Sequence, residues 1–450
     1  MSKNYLEDSV GKTLFLKSLP MFLAIFANIA YNLADTFFVA KLGTPELAAM
    51  SFGFPVVMII LNLMMGIATG VNSLTSRSIG EGDHARAKDI SKRGLQFTFV
   101  VSVLISIIGL FTLEPLFTLL GADEDLMGHV KDYMIIWYLG SIFMNMTTLG
   151  TSLFRARGNV LYPSVVLILG ACINAALDPI LIFGFGPIPA MGIQGAAITT
   201  VFGNVLSAYL IFSKLRKEED ISLSSIFKIP DLPTVKKIAR IALPTALANS
   251  FPPLSTAVTN WMLVGYGATV VAANSIAIRL ETVPFIAIFA LCSVFSSFIG
   301  QNWGAQNIGR IREGIKKSFL FSYILGAFCT LLLLVYKESI VGLFDSSPEV
   351  LSTTSLYFSL VPFTYGILGT VFLTINAMNA VGKPFAGNFL SALRLLIIYL
   401  PFAFYLNIQY QLQGIFVARV AANLFVGLLA TALVYRTFFK SDLNYSKTVD

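Results

Sequence analysis

The chain has 450 residues, 56% of them hydrophobic and only 12% charged, where soluble domains carry roughly a quarter charged. Too little polar surface remains to cover a water-soluble globule, so the composition points to an integral membrane protein built of apolar helices. The net charge of +7 does not point to nucleic acid, because Lys and Arg fall mostly in short segments between apolar runs, as the positive-inside pattern requires.

The opening segment "MSKNYLEDSVGK" is polar, and the first apolar run is too long for the h-region of a signal peptide and lacks a small-residue cleavage site. Twelve runs then predict transmembrane helices at 14–40, 48–76, 94–119, 133–154, 163–184, 192–213, 241–264, 271–299, 318–336, 354–378, 385–407 and 413–435. They divide the chain into an N-terminus (1–13), an N-lobe of helices 1–6 (14–213), a linker (214–240), a C-lobe of helices 7–12 (241–435) and a tail (436–450). The linker is the longest polar segment, and its charge and two prolines mark it as the join between the lobes. Of the 31 Lys and Arg, 24 lie in the even-numbered loops and the two termini, and three (Lys41, Lys131 and Lys337) in the odd-numbered loops. That bias places both termini in the cytoplasm of a multi-pass inner (plasma) membrane protein. Lys17 lies near enough to the start of its span to reach the cytoplasmic headgroups. Cys172, Cys292 and Cys329 all fall inside apolar runs and read as packing residues, and His84 and His129 lie in different loops, so no zinc site is expected.

The two halves repeat. Shifted by 224 residues, Pro20 falls on Pro244, Gly43 on Gly267, Gly80 on Gly304, Arg86 on Arg310, Lys92 on Lys316 and Gly158 on Gly382. These are helix breakers, turns and the basic loop. Six spans per half is an even number, so the halves share one orientation. They are related by a pseudo-twofold axis along the membrane normal, an arrangement that in transporters places a substrate path between two lobes.

Several blocks resemble the multidrug and toxic compound extrusion (MATE) family: "LADTFFVAKLG" with "ELAAMSFGFP", "GVNSLTSRSIGEGDHARA", "RARGNVLYPS", "INAALDPILIFG" with "MGIQGAAITT", and "SFIGQNWGAQNIGRIREG". The resemblance runs over about residues 12 to 436. It implies twelve helices in two six-helix bundles, a V-shaped cavity, and export of organic compounds driven by proton or sodium entry. It further implies that acids on helices 1 and 5 handle the coupling ion. Here those are Asp35 and Asp178, with Asn174, Tyr31 and Thr200 fitting the same site. Helices 7 and 10 carry no acid, a departure that looks like the DinF-like branch of the family.

The chemistry of the acids agrees with that reading. The counterpart of Asp35 under the shift is Thr259, and that of Asp178 is Phe402 or Leu400, so the carboxylates serve one half only. A charged carboxylate at membrane depth costs at least ~2.5–3.5 kcal/mol on insertion scales, a cost lowered by taking a proton or coordinating a cation. Asn174 and Asp178 are four apart and share a helix face, and Pro179 frees a carbonyl near position 175. Two carboxylates, an amide, a hydroxyl and a carbonyl suit either a protonation network or a sodium site at Asp35, Asn174 and Asp178. The sodium shell, at roughly five or six oxygens, fills only if Tyr31 and Thr200 join it, so the proton is the expected ion and sodium the alternative. The bland alternative is that each aspartate caps a helix or sits among headgroups.

Arg279 and Glu281 lie two apart on helix 8, so they face different ways, and each is expected to meet Arg394 or Arg419 of other helices or to line the cavity. Phe and Met are frequent enough to furnish adaptable walls for apolar or cationic organic compounds. No phosphate-binding loop of the GxxxxGK[ST] kind and no catalytic constellation is present, so the chain reads as an ion-coupled exporter, not an enzyme, acting as a monomer without a cofactor. A lipid-linked saccharide flippase of related fold is the alternative, disfavoured because only three arginines are deeply embedded. A channel or receptor is not suggested by the repeat or the one-sided acids.

Overall fold

The computed structural model describes residues 5–221, 225–345 and 347–440. The described residues form helices joined by tight turns, with one isolated bridge between Phe185 and Ile188. In order these are α1 (Val10–Ala40), α2 (Thr44–Gly80), α3 (His84–Leu119), α4 (Glu124–Ala156), α5 (Leu161–Phe183), α6 (Gly192–Glu219), α7 (Leu232–Val264), α8 (Ala268–Gly304) and α9 (Ile308–Gly342). The tenth span is α10 (Pro348–Leu360) and α11 (Tyr365–Ala380), joined by a 3₁₀ turn at Val361–Thr364. Then come α12 (Pro384–Ala392), a π-helical stretch at Leu393–Tyr399, α13 (Leu400–Val434) and a terminal π turn at Tyr435–Phe439. α13 is broken at Gln411 (φ 50, ψ −138), which separates the eleventh span from the twelfth.

Nine helical stretches among the described residues are long and apolar enough to cross a bilayer, and the longest of them, Pro384–Phe439, holds the last two spans. α4 and α7 are not among the nine because of the polar side chains they bury. In α4 these include Ser141, Asn145, Thr147 and Ser152, and in α7 Thr245, Ser255 and Thr259. Such groups hold helices together where hydrocarbon gives no hydrophobic drive. Asn145 donates to the Ser102 hydroxyl of α3 (3.0 Å), and Asn72 of α2 donates to the Ser152 carbonyl (3.0 Å).

Several helices extend past the apolar runs. α3 starts at His84, ten residues before its predicted span at 94, with Asp83 capping it by accepting from the Arg86 amide (2.9 Å). α7 starts at Leu232, where the Asp231 carboxylate accepts from the Thr234 amide and hydroxyl (both 3.0 Å). Lys17 donates to the carbonyl of Gly158 (2.7 Å), which lies in the turn between α4 and α5 with φ 85.

The 224-residue shift reappears in the backbone. Positive φ is found at Gly43 and Gly267, at Gly82 and Gln306, and at Gly158 and Gly382. Asp83 caps α3 as Asn307 caps α9, by accepting from the amide three residues on. Within each turn the amide of residue 84 or 308 reaches back to the carbonyl of 82 or 306 at 3.1 Å. Gln306 thus takes, at φ 58, a conformation its counterpart fills with glycine.

The chain forms two compact units. One holds Leu16–Leu247, with a core that includes Met64, Val71, Leu95, Met146, Leu153 and Ile211. Met64 and Met146 therefore pack in that core, while Met65 is exposed. The first four turns of α7 belong to this unit. A Cβ on Gly66 would meet the Ala242 carbonyl at 2.4 Å, a close approach that only glycine allows. The other unit holds Lys3–Phe15 and Ala248–Asp450, and packs Phe285, Phe289, Tyr365 and Phe372 edge to face. In it Asn302 and Arg310 donate to the Tyr5 carbonyl (3.0 and 3.1 Å).

Candidate functional site

The predicted acids lie in the first unit, on α1 and α5, and both are buried: Asp35 is 4% exposed and Asp178 fully enclosed. The C-terminal end of α1 packs through Val39 on Ile182 of α5 and Ala196 of α6. α5 and α6 approach closely because small residues face each other. A Cβ on Gly195 would meet the Leu181 carbonyl at 2.6 Å, and one on Gly203 the Gly170 carbonyl at 3.1 Å. That contact brings the polar turn of α6 to the carboxylate of α5.

Thr199, which sequence reasoning did not single out, donates its hydroxyl to Asp178 Oδ1. Asn174 bridges the same helices: with its amide oriented so that the oxygen accepts from the Thr200 hydroxyl and amide (both 3.1 Å), as the surrounding donors and acceptors require, its nitrogen donates to Asp178 Oδ2 (3.2 Å). Each Asp178 oxygen therefore has a donor. Asp35 differs, since among the described residues its Oδ1 has no hydrogen-bond partner. Tyr31, partly buried on the same helix, and Tyr133 of α4, 8% exposed, lie within electrostatic reach of both carboxylates. Asp35, Asn174, Asp178, Tyr31 and Thr200 are thus gathered in one place, with Thr199 and Tyr133 added. No signal in the sequence set Thr199 apart from the other helix hydroxyls, and Tyr133 lies at the edge of its apolar run.

The remaining predicted residues lie in the second unit. Glu281 is buried, and both its oxygens accept from Arg419 Nη2 (3.2 and 3.0 Å), while the Tyr357 hydroxyl donates to Oε2. Arg279 is exposed on another face of α8, as a two-residue spacing requires, and it has no ion pair among the described residues. Arg394 is buried on the π-helical stretch, donates to Asn423 Oδ1 (3.1 Å) and lies over the Phe372 ring (5.9 Å to its centre). Thr259, the counterpart of Asp35, donates to the Ser255 carbonyl (2.8 Å) and shares a 2.9 Å hydrogen bond with the Tyr399 hydroxyl.

A protein-family description, MatE, matches residues 20–180 and 244–431, two stretches whose starts are 224 residues apart. A protein of Shewanella oneidensis named FAD transporter is 35% identical over 436 residues, 96% of either chain. Multidrug export protein MepA of Staphylococcus aureus is 24% identical over 449 residues, 99% of this chain and 98% of that one. The crystal structure of the Vibrio cholerae MATE transporter VcmN in its bent form matches with a TM-score of 0.89 at 28% identity, over 97% of this chain and 98% of that chain. Family match, fold and twelve membrane-spanning helices agree: the chain belongs to the MATE family of multi-pass membrane transporters, and it is a transporter and not an enzyme.

Proposed function

We propose that the protein is a secondary active exporter that exchanges inward-moving protons for outward-moving organic compounds by alternating access, with Asp35 as the proton carrier. The observation that supports this most is the contrast between the two buried acids. Asp178 receives a donor on each oxygen and is provided for as an anion. Asp35 is buried with one oxygen unpartnered, an arrangement that favours a proton on it whenever no cation is present. Protonation of Asp35 removes its charge beside Asp178, repacks the outer part of α1 on α5 and α6, and releases the cargo. A sodium ion at Asp35, Asn174 and Asp178 would serve the same electrostatic purpose. The amide and hydroxyl hydrogens already directed at Asp178 favour the proton.

In this reading the protein lies in the inner (plasma) membrane as a monomer, with both termini in the cytoplasm. The cargo includes varied organic compounds, as the name of the multidrug exporters at 24% identity suggests, and the abundance of Phe and Met favours apolar and cationic ones. A second cargo, a flavin dinucleotide, is favoured by the 35% identity to a FAD transporter over nearly the full length of both chains. The test is reconstitution of the purified protein in sodium-free vesicles with an imposed pH gradient. Ethidium or FAD movement that follows the gradient and collapses with a protonophore is expected. Movement that appears only with a sodium gradient would overturn the proton assignment.

A further inference from the structure

The second unit contains a cavity that the acid pair does not use. It is small, about 70 Å³, and its lining includes Arg394, Arg419, Tyr399, Thr259, Ser255 and Asn423. The cavity depends on the π-helical stretch Leu393–Tyr399. In an α-helix residues five apart point about 140° away from one another. In a π-helix, with hydrogen bonds closing at i→i+5, the wider turn brings them nearer to one side. Arg394 and Tyr399 therefore line the same cavity from one helix.

The charges at this cavity do not balance. Glu281 is the carboxylate that acts on both arginines, and both its oxygens are bonded to Arg419. Arg394 is 7% exposed and has a neutral partner, the oxygen of Asn423. That oxygen is fixed toward it because the Asn423 amide nitrogen donates to the Thr364 hydroxyl (2.9 Å). Asn423 occupies Nη1 alone. Among the described residues, the Nε–Nη2 edge of Arg394 donates to no protein group, and Nε is a buried donor without a partner. Two guanidinium groups face one carboxylate, and the uncompensated one leaves open the planar two-donor edge that matches two oxygens of a phosphate. A buried unpaired charge is strongly unfavourable unless an ion of opposite sign joins it.

We propose that this cavity is an anion site for a phosphate group, with Arg394 as the binding residue and the Glu281–Arg419–Tyr357 cluster holding the cavity wall. The phosphate belongs to the cargo. The inference deepens the export reading above, on which it rests, by assigning a phosphate-bearing organic anion to the second unit. A phospholipid headgroup offers the same chemistry, and the experiment separates the two.

The probes are riboflavin and flavin mononucleotide, which share one ring system and differ by a phosphate, titrated against the purified full-length protein by flavin fluorescence. Flavin mononucleotide is expected to bind at least about tenfold more tightly than riboflavin, and ADP is expected to compete with it. Arg394→Gln is expected to erase the preference, and Arg394→Lys to retain part of it, with both variants checked for monodisperse elution. Native mass spectrometry supplies the other arm. A phospholipid retained by the wild type, lost from Arg394→Gln and not displaced by ADP assigns the site to a lipid headgroup and overturns the cargo assignment. Equal affinity for the two flavins with no retained lipid, or a preference that survives Arg394→Gln, overturns the site itself. Gradient-driven ethidium efflux in vesicles is measured in parallel. If it persists without a phosphate preference, the anion site alone fails. If the preference is present and no cargo follows the gradient, the export reading alone fails.

Discussion

Asp35 and Thr259 occupy the same position in the two halves of the chain, 224 residues apart, each on the first helix of its half and each 4% exposed. Thr259 is fully provided for, with the Ser255 carbonyl and the Tyr399 hydroxyl at 2.8 and 2.9 Å. Asp35 has an oxygen with no partner among the described residues. A buried carboxylate with an unpartnered oxygen thus stands in one half where the other half has a self-sufficient hydroxyl.

Asp35→Asn is expected to abolish gradient-driven export, by tenfold or more in initial rate, while the protein still inserts and folds. Asparagine keeps the size and hydrogen-bonding capacity but cannot take up or release a proton. Efflux is compared at matched membrane levels, and wild-type rates would rule out the carrier role.

Thr259→Ala is expected to leave the dependence on the pH gradient intact. The ratio of efflux with and without the gradient should equal that of the wild type, even where cargo affinity changes. If this ratio collapses as it does for Asp35→Asn, the two positions share one role and the asymmetric reading is wrong.

Thr199→Val removes the hydroxyl that donates to Asp178 Oδ1 while keeping the shape of the side chain. A hydrogen bond to a charged group contributes roughly 1.5–3 kcal/mol. A lowered melting temperature in detergent and about a tenfold loss of gradient-driven rate are therefore expected, whereas Thr199→Ser should keep most of both. A valine variant equal to the wild type in both measurements would remove Thr199 from the site.

Glu281→Gln leaves Arg419 without its carboxylate in a buried place. Breaking such a pair from one side costs about 3–5 kcal/mol, whereas replacing both partners by apolar residues is often neutral. Glu281→Leu combined with Arg419→Met should therefore melt above Glu281→Gln alone. A double variant less stable than the single one would show that the pair does more than balance charge.

Gln306→Gly relieves a left-handed backbone at φ 58 that costs an L-residue about 1–2 kcal/mol. A raised melting temperature without change in transport is expected. A drop would mean that the Gln306 side chain contributes more than its backbone strain costs.

The membrane spans were legible because hydrocarbon thickness sets a minimum apolar run, and Asp35 and Asp178 stood out as carboxylates inside such runs. The helix ends were less legible, since run length registers only the part in lipid. The ten residues of α3 between His84 and the predicted start of its span carry six charged or imidazole side chains besides Ala85, Ala87 and Ile90, so no apolar run marks them. Thr199 was hidden for a related reason: most helix hydroxyls bond a carbonyl of their own preceding turn. Only the approach of α6 to α5 gives this one a second acceptor. The Glu281–Arg419 pair joins residues 138 apart, and within-helix spacing could exclude a bond between Arg279 and Glu281 but could not choose the true partner.

The division of the chain into units does not follow the order in which it is synthesised. Leu232–Leu247 at the start of α7 belongs to the unit made of Leu16–Leu247, and Lys3–Phe15 belongs to the unit that begins at Ala248. The Tyr5 carbonyl is thereby bonded by Asn302 and Arg310, residues about 300 positions later in the chain. Closing the second unit therefore requires Asn302 of α8 and Arg310 of α9 to be in place and the amino-terminal segment to be free to reach them. A gene cut within the 222–224 segment would give two fragments, each lacking a strand of chain that the other carries. Neither fragment would mature alone, and co-expression would be required to recover either unit.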